Sequence, residues 1–516
     1  MSNVAQLAWN KVDWKKIESR VFRIQRRIYK AKTDKKITTV HYLQKKLINS
    51  LDGKLTSIRE VFKLTKVHWI NSIHFHGTNK SIHLIYTSLK KPHALSDNSL
   101  IDKTLLTDEA KQFLIKLALE PEWASKFERR SMGHNFGQSY QDSIENTFSK
   151  FNLSTPYVFQ KKIFENFKNF DLKRFLKKLN TITVIEIHIK RWLLNLDKFK
   201  FENKKTNYYP DSNFGLLKRG NITPFLCEIA LNGLETYLIS FMENNKNYFA
   251  QTTAIHYCRY LDEVLIISPK IIILNQLIKL YQQYLHKVGL RFGSKNYKVL
   301  HTTEGINFLG FQLIIIKKEN QFKKKISISR DSKKLLLART RFIIQKNKSI
   351  SSYELINKLK YHVLFWGLYF QYYDCKKEFA QMDQRILNQL RAWVFRRKAQ
   401  GKNRSFLKEK YFPTDKVFTY NGINYKNSWV LCGDLKLANK KIDYNFLPKL
   451  SWIKRTSYIA IENDYSIYNG DYLYWSKRLS NIETEQYKLL QKKFLLEGKM
   501  EIYNLFTTAN KYFVSK

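Results

Sequence analysis

Apolar residues along VDWKKIESRVFRIQRRIYKA fall at Val12, Ile17, Val21, Ile24 and Ile28. That spacing returns to one face of a 3.6-residue period and predicts an amphipathic helix; residues 9–50 together read as two helices. Residues 65–105 are weakly patterned and read as short strands and loops, and 107–127 as a helix ending in LALEPEWASKF. Two or three helices around one strand are expected over 140–205. A glycine-containing turn then opens a helix over 215–243 through Leu226, Ile229, Leu231, Leu234 and Leu238. In HYCRYLDEVLIISPK, residues 256–270, two apolar-leaning runs flank Leu261-Asp262-Glu263, the pattern of a tight hairpin. A helix follows, with Leu274, Leu277, Ile278, Tyr281, Leu285 and Val288 on one face and Gly289 at its end. INFLGFQLIII reads as one strand, 332–410 as helical and very basic, and the last hundred residues as aromatic-rich and mixed. No internal repeat or low-complexity linker interrupts the chain, so its domains are expected to pack against one another.

Composition adds a partner class. The 516 residues are 44% hydrophobic and 15% aromatic, enough for real cores, and carry a net charge of +48 from 91 Lys+Arg against 43 Asp+Glu. Such a surface attracts polyanions, nucleic acid first, because neutralised phosphates release counterions. An AT-rich genome explains part of the lysine excess but not the arginine clusters. Cys227, Cys258, Cys375 and Cys432 show no zinc spacing and are too scattered for a disulfide framework, which fits a reducing compartment. No apolar run reaches membrane-spanning length and no signal-peptide core opens the chain, so no membrane partner is expected.

The hairpin raises a question of chemistry. Acids at a turn between two strands can hold divalent metals for nucleotidyl transfer, but only with a further carboxylate from the neighbouring strand. The alternative is an ordinary turn acid.

Several segments in order resemble the group II intron reverse transcriptase/maturase family. WNKVDWKKIESRVFRIQRRIYKA and LQKKLINS resemble its N-terminal extension, and LALEPEWASKFERRSMGHNFGQSYQDSIENTF its fingers–palm stretch. GLLKRGNITPFLCEIALNGLE resembles the template-contacting segment, HYCRYLDEVLII the YADD hairpin, and GLRFGSKNYKVLHTTEGINFLGFQL the strands that close the palm. LKYHVLFWGLYFQYY and LRAWVFRRKAQGKNRSFLKEKYF resemble the thumb, and YNGDYLYWSKRLS an element preceding a DNA-binding and nuclease tail. The resemblance implies an α+β chain with right-hand polymerase-like fingers and palm, an antiparallel palm sheet with packed helices, then a helical thumb and a small C-terminal module. The expected divisions are 1–130, N-terminal extension and reduced fingers; 131–325, degenerate palm; 326–415, thumb or maturase domain; and 416–516, a nuclease remnant without zinc ligands.

Aligned this way, the first metal-binding Asp of the palm falls on Lys162 and the acid six residues on falls on Lys168. An ammonium repels the cation it would have to bind. A shift by one residue brings in only Lys161 or Ile163. Asp262 keeps the principal hairpin acid and Glu263 replaces the second, so both are expected to be vestigial. In the PQGG turn, Lys218 and Arg219 replace Gln and the first Gly; the late palm lysine aligns with Asn296, beside Lys295. The fingers grip is reduced to IYTSLKKPHALS, with its Arg on Lys91, and FLLEGKMEIYNLF in the tail has no Cys or His for zinc.

RNA binding needs no carboxylates, and there the chain stays basic. Expected contacts are Lys15, Lys16, Arg20, Arg23, Arg26, Arg27 and Lys30 in the N-terminal extension, Lys218 and Arg219 in the palm, and Arg391, Arg396, Arg397, Lys398, Lys402, Arg404, Lys408 and Lys410 in the thumb. Trp366 and Trp393 among the last group read as core. The expectation is therefore a maturase that binds group II intron RNA in precursor mRNA, with other splicing factors as further partners. It needs no protein-bound cofactor, Mg²⁺ being required by the RNA. An active reverse transcriptase and a DNA-binding mobility remnant are the rivals. Only eight residues precede Trp9, too few for a transit peptide, which with the AT-biased composition suggests an organelle-encoded plastid protein, then a mitochondrial one, then a bacterial one.

Overall fold

The computed structural model describes residues 12–65, 101–128, 131–132, 140–163, 171–194, 222–244, 255–260, 263–290, 297–319, 321–396, 403–427, 429–436, 442–458, 461, 466–468 and 474. They fall into two compact units, one drawn from Met1–Thr302 and Ala460–Ser480, the other from Thr303–Ile459. The fold is α+β and polymerase-like.

In the first unit, α1 (Trp14–Thr33) and α2 (Ile37–Asn49) are the expected pair, followed by α3 (Leu51–Thr65). Ile17, Val21 and Ile28 of α1 are buried, and Asp13 caps the helix by accepting from the Lys16 N–H at 3.2 Å. All three helices pack on α4 (Ile101–Ala124), which starts ahead of the expected helix and carries Pro121 inside it. Glu122, 1% exposed, ties the bundle together. It accepts from Gln44 Nε2 of α2 at 2.8 Å and pairs with Lys32 of α1 at 2.9 Å and Lys126 at 2.8 Å. Burial works against its charge, but Lys126 and Lys32 hold the carboxyl below the usual range.

A five-stranded sheet follows in the order β1 (Ser131–Met132), β3 (His256–Tyr260), β4 (Glu263–Ser268), β2 (Tyr157–Lys162), β5 (Tyr297–His301). β1 pairs parallel with β3; the other pairings are antiparallel. Helices α5 (Tyr140–Lys150), α6 (Leu172–Leu179) and α7 (Thr183–Leu194) complete the run expected around β2. Side chains alternate across the sheet. Phe159, Ile163, Tyr257, Val264 and Ile266 join one buried cluster with Phe225 and Ile229 of α8 (Thr223–Leu231) and Leu274, Leu277 and Tyr281 of α10 (Ile271–Lys287). Each fully buried large apolar side chain there contributes roughly 1.5–3 kcal/mol. On the opposite face α5 packs on β3, and the Cys258 thiol donates to the Ser143 carbonyl at 3.8 Å.

Two expectations change. The single helix expected over 215–243 is two, α8 and α9 (Leu234–Asn244), because Gly233 takes φ +94° between them, a backbone state that favours glycine. In the second unit INFLGFQLIII is two strands, β6 (Ile306–Phe308) and β7 (Phe311–Lys318), joined at Leu309 and Gly310 with φ of 49° and 79°. Two positive φ angles in succession make the primed turn that suits the twist of a hairpin. β8 (Gln321–Ile328) completes that sheet. Helices α11 (Arg330–Lys346), α12 (Ser352–Phe370), α13 (Lys376–Phe395) and α14 (Arg404–Tyr411) follow. Ser329 and Ser351 cap α11 and α12. Trp366 and Trp393 are buried, as their spacing implied; Phe311 packs edge-on to Phe370 at 4.7 Å. The hairpins β9 (Val417–Tyr420) with β10 (Ile423–Lys426) and β11 (Cys432–Lys436) with β12 (Ile442–Phe446) come last, with Trp452 stacked on Tyr425 at 4.5 Å.

Candidate functional site

The β3–β4 hairpin and β2 set the chemistry of the palm. Tyr260 pairs with Glu263 across the hairpin, and Glu263 pairs with Lys162 across β4 and β2. Tyr260, Glu263 and Lys162 therefore form one row on the face away from α8 and α10. Gln160 lies on that same face two residues back, and its Nε2 donates to Glu263 Oε1 at 2.5 Å. Glu263 is 2% exposed. A cation, an amide and one buried carboxylate thus occupy the β2 end of the row, where two-metal chemistry needs carboxylates from both strands. These residues do not fit a divalent pair. No slip of register repairs this: Lys161 pairs with Val264 and shares the helix-covered face with Phe159, and Ile163 is wholly buried in the core. Asp262, Lys168, Lys91, Lys295, Asn296, Lys218 and Arg219 lie outside the described residues, as do Arg397, Lys398 and Lys402. Among the described residues, no three His, Cys, Asp or Glu side chains gather as a metal site.

Beneath the hairpin sits an arrangement the sequence reading missed. Arg259, fully buried on β3, forks onto Glu228 of α8, with Nη1 to Oε2 at 2.9 Å and Nη2 to Oε1 at 2.7 Å. Burial opposes the guanidinium charge, but Glu228 and Tyr257 together more than offset it and hold Arg259 protonated. The pair pins α8, which lies within the stretch that resembles the template-contacting segment, to the hairpin strand. Below it, Lys178 Nζ donates to the Ala230 and Asn232 carbonyls at 2.8 and 2.5 Å, closing the C-terminus of α8. Burial pushes Lys178 down to about 8; Glu128 opposes the shift and Arg259 adds to it. Glu128 in turn accepts from the Glu235 and Thr236 N–H groups at 3.2 and 2.7 Å, at the N-terminus of α9. Only an Arg next to the hairpin Tyr and a Glu inside an apolar helix hinted at this; nothing in the sequence joins residues 31 apart.

The expected RNA contacts divide. On α1, Lys15, Lys16, Arg20, Arg23, Arg26, Arg27 and Lys30 are all exposed. Arg20, however, forks onto Asp52 with both bonds at 2.8 Å, Lys16 pairs with Asp13 at 3.4 Å, and Arg26 Nε donates to the Tyr468 carbonyl at 3.2 Å. Tyr468, the first residue of the stretch that resembles the tail element, also packs on Phe22 and Tyr29 of α1, each at 5.8 Å. Lys15, Arg23, Arg27 and Lys30 make no ion pair among the described residues. In the second unit the Arg391 guanidinium lies 4.6 Å from the Trp429 ring and Lys408 lies 5.1 Å from it, so both are held by cation–π contact. Arg404 lies over Phe395 at 5.1 Å and Lys410 over Tyr411 at 5.5 Å, while Arg396 is exposed after the end of α13.

Residues 9–68 match the N-terminal domain of reverse transcriptase, 107–313 match reverse transcriptase (RNA-dependent DNA polymerase), and 333–412 match the group II intron, maturase-specific domain. The chain belongs to the group II intron reverse transcriptase/maturase family. No curated protein matches it. The maturase-specific match covers α11 through α14, and with it the thumb cations just described. That domain implies binding to intron RNA. In the described residues no helix is long and apolar enough to cross a membrane.

Proposed function

We propose that this family member is a maturase that has given up polymerisation: it binds a group II intron in precursor mRNA and stabilises the fold in which the RNA splices itself. The observation that carries the reading is the pairing of Lys162 with Glu263, which sets an ammonium where the family's chemistry needs a carboxylate. The face beneath is fully packed, which supports a scaffold that works without metal-dependent transfer. The protein contributes binding energy and charge neutralisation, and the RNA contributes the Mg²⁺ site; a ligand that prefers the active RNA fold shifts the population toward it. The zinc-dependent nuclease of the family is lost as well, since FLLEGKMEIYNLF offers no Cys or His to a metal. Other splicing proteins join the complex, and the compartment is a plastid, in keeping with the AT-biased composition and the resemblance of the tail. Crosslinking in the source compartment followed by sequencing is expected to concentrate reads on one or a few group II introns in plastid transcripts. Primer extension by the purified chain, abolished by Asp262→Ala, would instead establish an active reverse transcriptase. Preference for a duplex DNA target over structured RNA at matched salt would establish a mobility remnant.

A further inference from the structure

The β7–β8 hairpin extends beyond the sheet that anchors it. β6 spans only Ile306–Phe308 and pairs with Phe311–Leu313 of β7, so from Ile314 outward the ribbon has two strands. Its inner end is buried through Phe311, Leu313 and Ile328, whereas residues 321–325 are exposed at every position, on both faces of the strand. A bare two-stranded hairpin is marginal in water, and these apolar anchors at one end stabilise it. Residues 311–328 hold Lys317, Lys318, Lys323, Lys324 and Lys325 against the single acid Glu319. Lys317 pairs across the strands with Phe322, which is 55% exposed, and Lys324 follows two residues along the same face. Lys323 and Lys325 occupy the opposite face, at the about 6.6–6.8 Å repeat of alternate strand positions.

We infer that this ribbon is a second RNA-binding element, which grips the phosphate backbone of the bound intron through Lys317, Lys323 and Lys325 and offers Phe322 for stacking on an unpaired base. The inference rests on the intron-binding reading above. Charge decides the partner: five lysines against one acid fit a polyphosphate, and an exposed aromatic among cations is how unpaired bases are held. The competing role is purely protective, since lysines on an exposed edge also prevent strands of two molecules from pairing.

Binding of a group II intron RNA to the full chain, followed across a salt series, separates the two. Lys317→Gln, Lys323→Gln and Lys325→Gln together are expected to lower the slope of log affinity against log salt by about 2, at about 0.7–0.9 per phosphate contact. The three Lys→Arg changes are expected to keep both slope and affinity, which guards against misfolding as the cause. Phe322→Leu is expected to weaken binding several-fold without changing the slope. All four cysteines are buried, so Lys323→Cys gives one accessible thiol for a tethered iron chelate, expected to cleave the RNA at a confined site. An unchanged slope in the triple Gln variant together with no confined cleavage overturns the ribbon proposal while wild-type binding still stands. Failure of the wild type to prefer intron over unrelated RNA would overturn the reading on which it rests.

Discussion

The two faces of the palm sheet have been held to different standards. On the face toward α8 and α10, Phe159, Val264 and Ile266 are wholly buried, and the buried Arg259 and Glu228 are joined by a bidentate fork. On the other face, the row of Lys162, Glu263 and Tyr260 sets an ammonium beside a single buried carboxylate. A strand separates these two demands by parity alone: neighbours such as Lys161 and Lys162 point to opposite faces. Chemistry can therefore be lost from alternate positions without touching the packing that holds the strand.

The largest effects should come from the packed face. Phe159→Ala is expected to cost about 3–5 kcal/mol in urea unfolding, the range for deleting a buried aromatic. Glu228→Ala should cost a similar about 3–5 kcal/mol by stranding the Arg259 charge, and much of that should return when Arg259 is replaced by Met in the same chain. If both single changes are mild, the contrast between the faces fails.

Lys178 tests the packed face by titration. Its folded value of about 8 lies below the ordinary 10.5, so between those values the unfolded chain binds more protons than the folded one. Stability then rises with pH across that window, and the cost of burying the charge is present in full only below about 8. Buried tyrosines, Tyr257 and Tyr284 among them, work the other way above pH 10, because burial holds them protonated. The useful comparison is therefore wild type against Lys178→Met between about pH 8 and 10, where the variant should lack the rise. Equal slopes would mean that Lys178 is not desolvated as its place under α8 implies.

The smallest effect belongs to the altered row. Lys162→Met should change stability by less than about 1 kcal/mol, within the usual range for a half-buried side chain outside the core. It should leave intron affinity unchanged. A loss comparable with Phe159→Ala would show that the row has become part of the scaffold.

Much of this was legible before any coordinates. The α1 periodicity, the hairpin, the helix ended by Gly289 and the core assignment of Trp366 and Trp393 follow from local spacing. What escaped was non-local or depended on a backbone state. Gly233 splits a continuous apolar run by taking positive φ, and Leu309 accepts a left-handed turn that its side chain disfavours, with its carbonyl held by the Tyr369 hydroxyl at 3.0 Å. The Arg259–Glu228 fork and the Arg20–Asp52 pair join distant positions that look like ordinary charges in the sequence. For that reason exposed-looking cations such as Arg20, Arg26 and Arg391 turned out to have partners within the protein.

The central claim is that RNA folding, and not polymerisation, is what this scaffold retains. The most direct measurement follows splicing of a group II precursor at limiting Mg²⁺ with wild type and Asp262→Ala, with a primer–template and nucleotides in the same reaction. The account predicts that both proteins accelerate splicing equally and that neither extends the primer. Primer extension by the wild type that disappears in Asp262→Ala would contradict it.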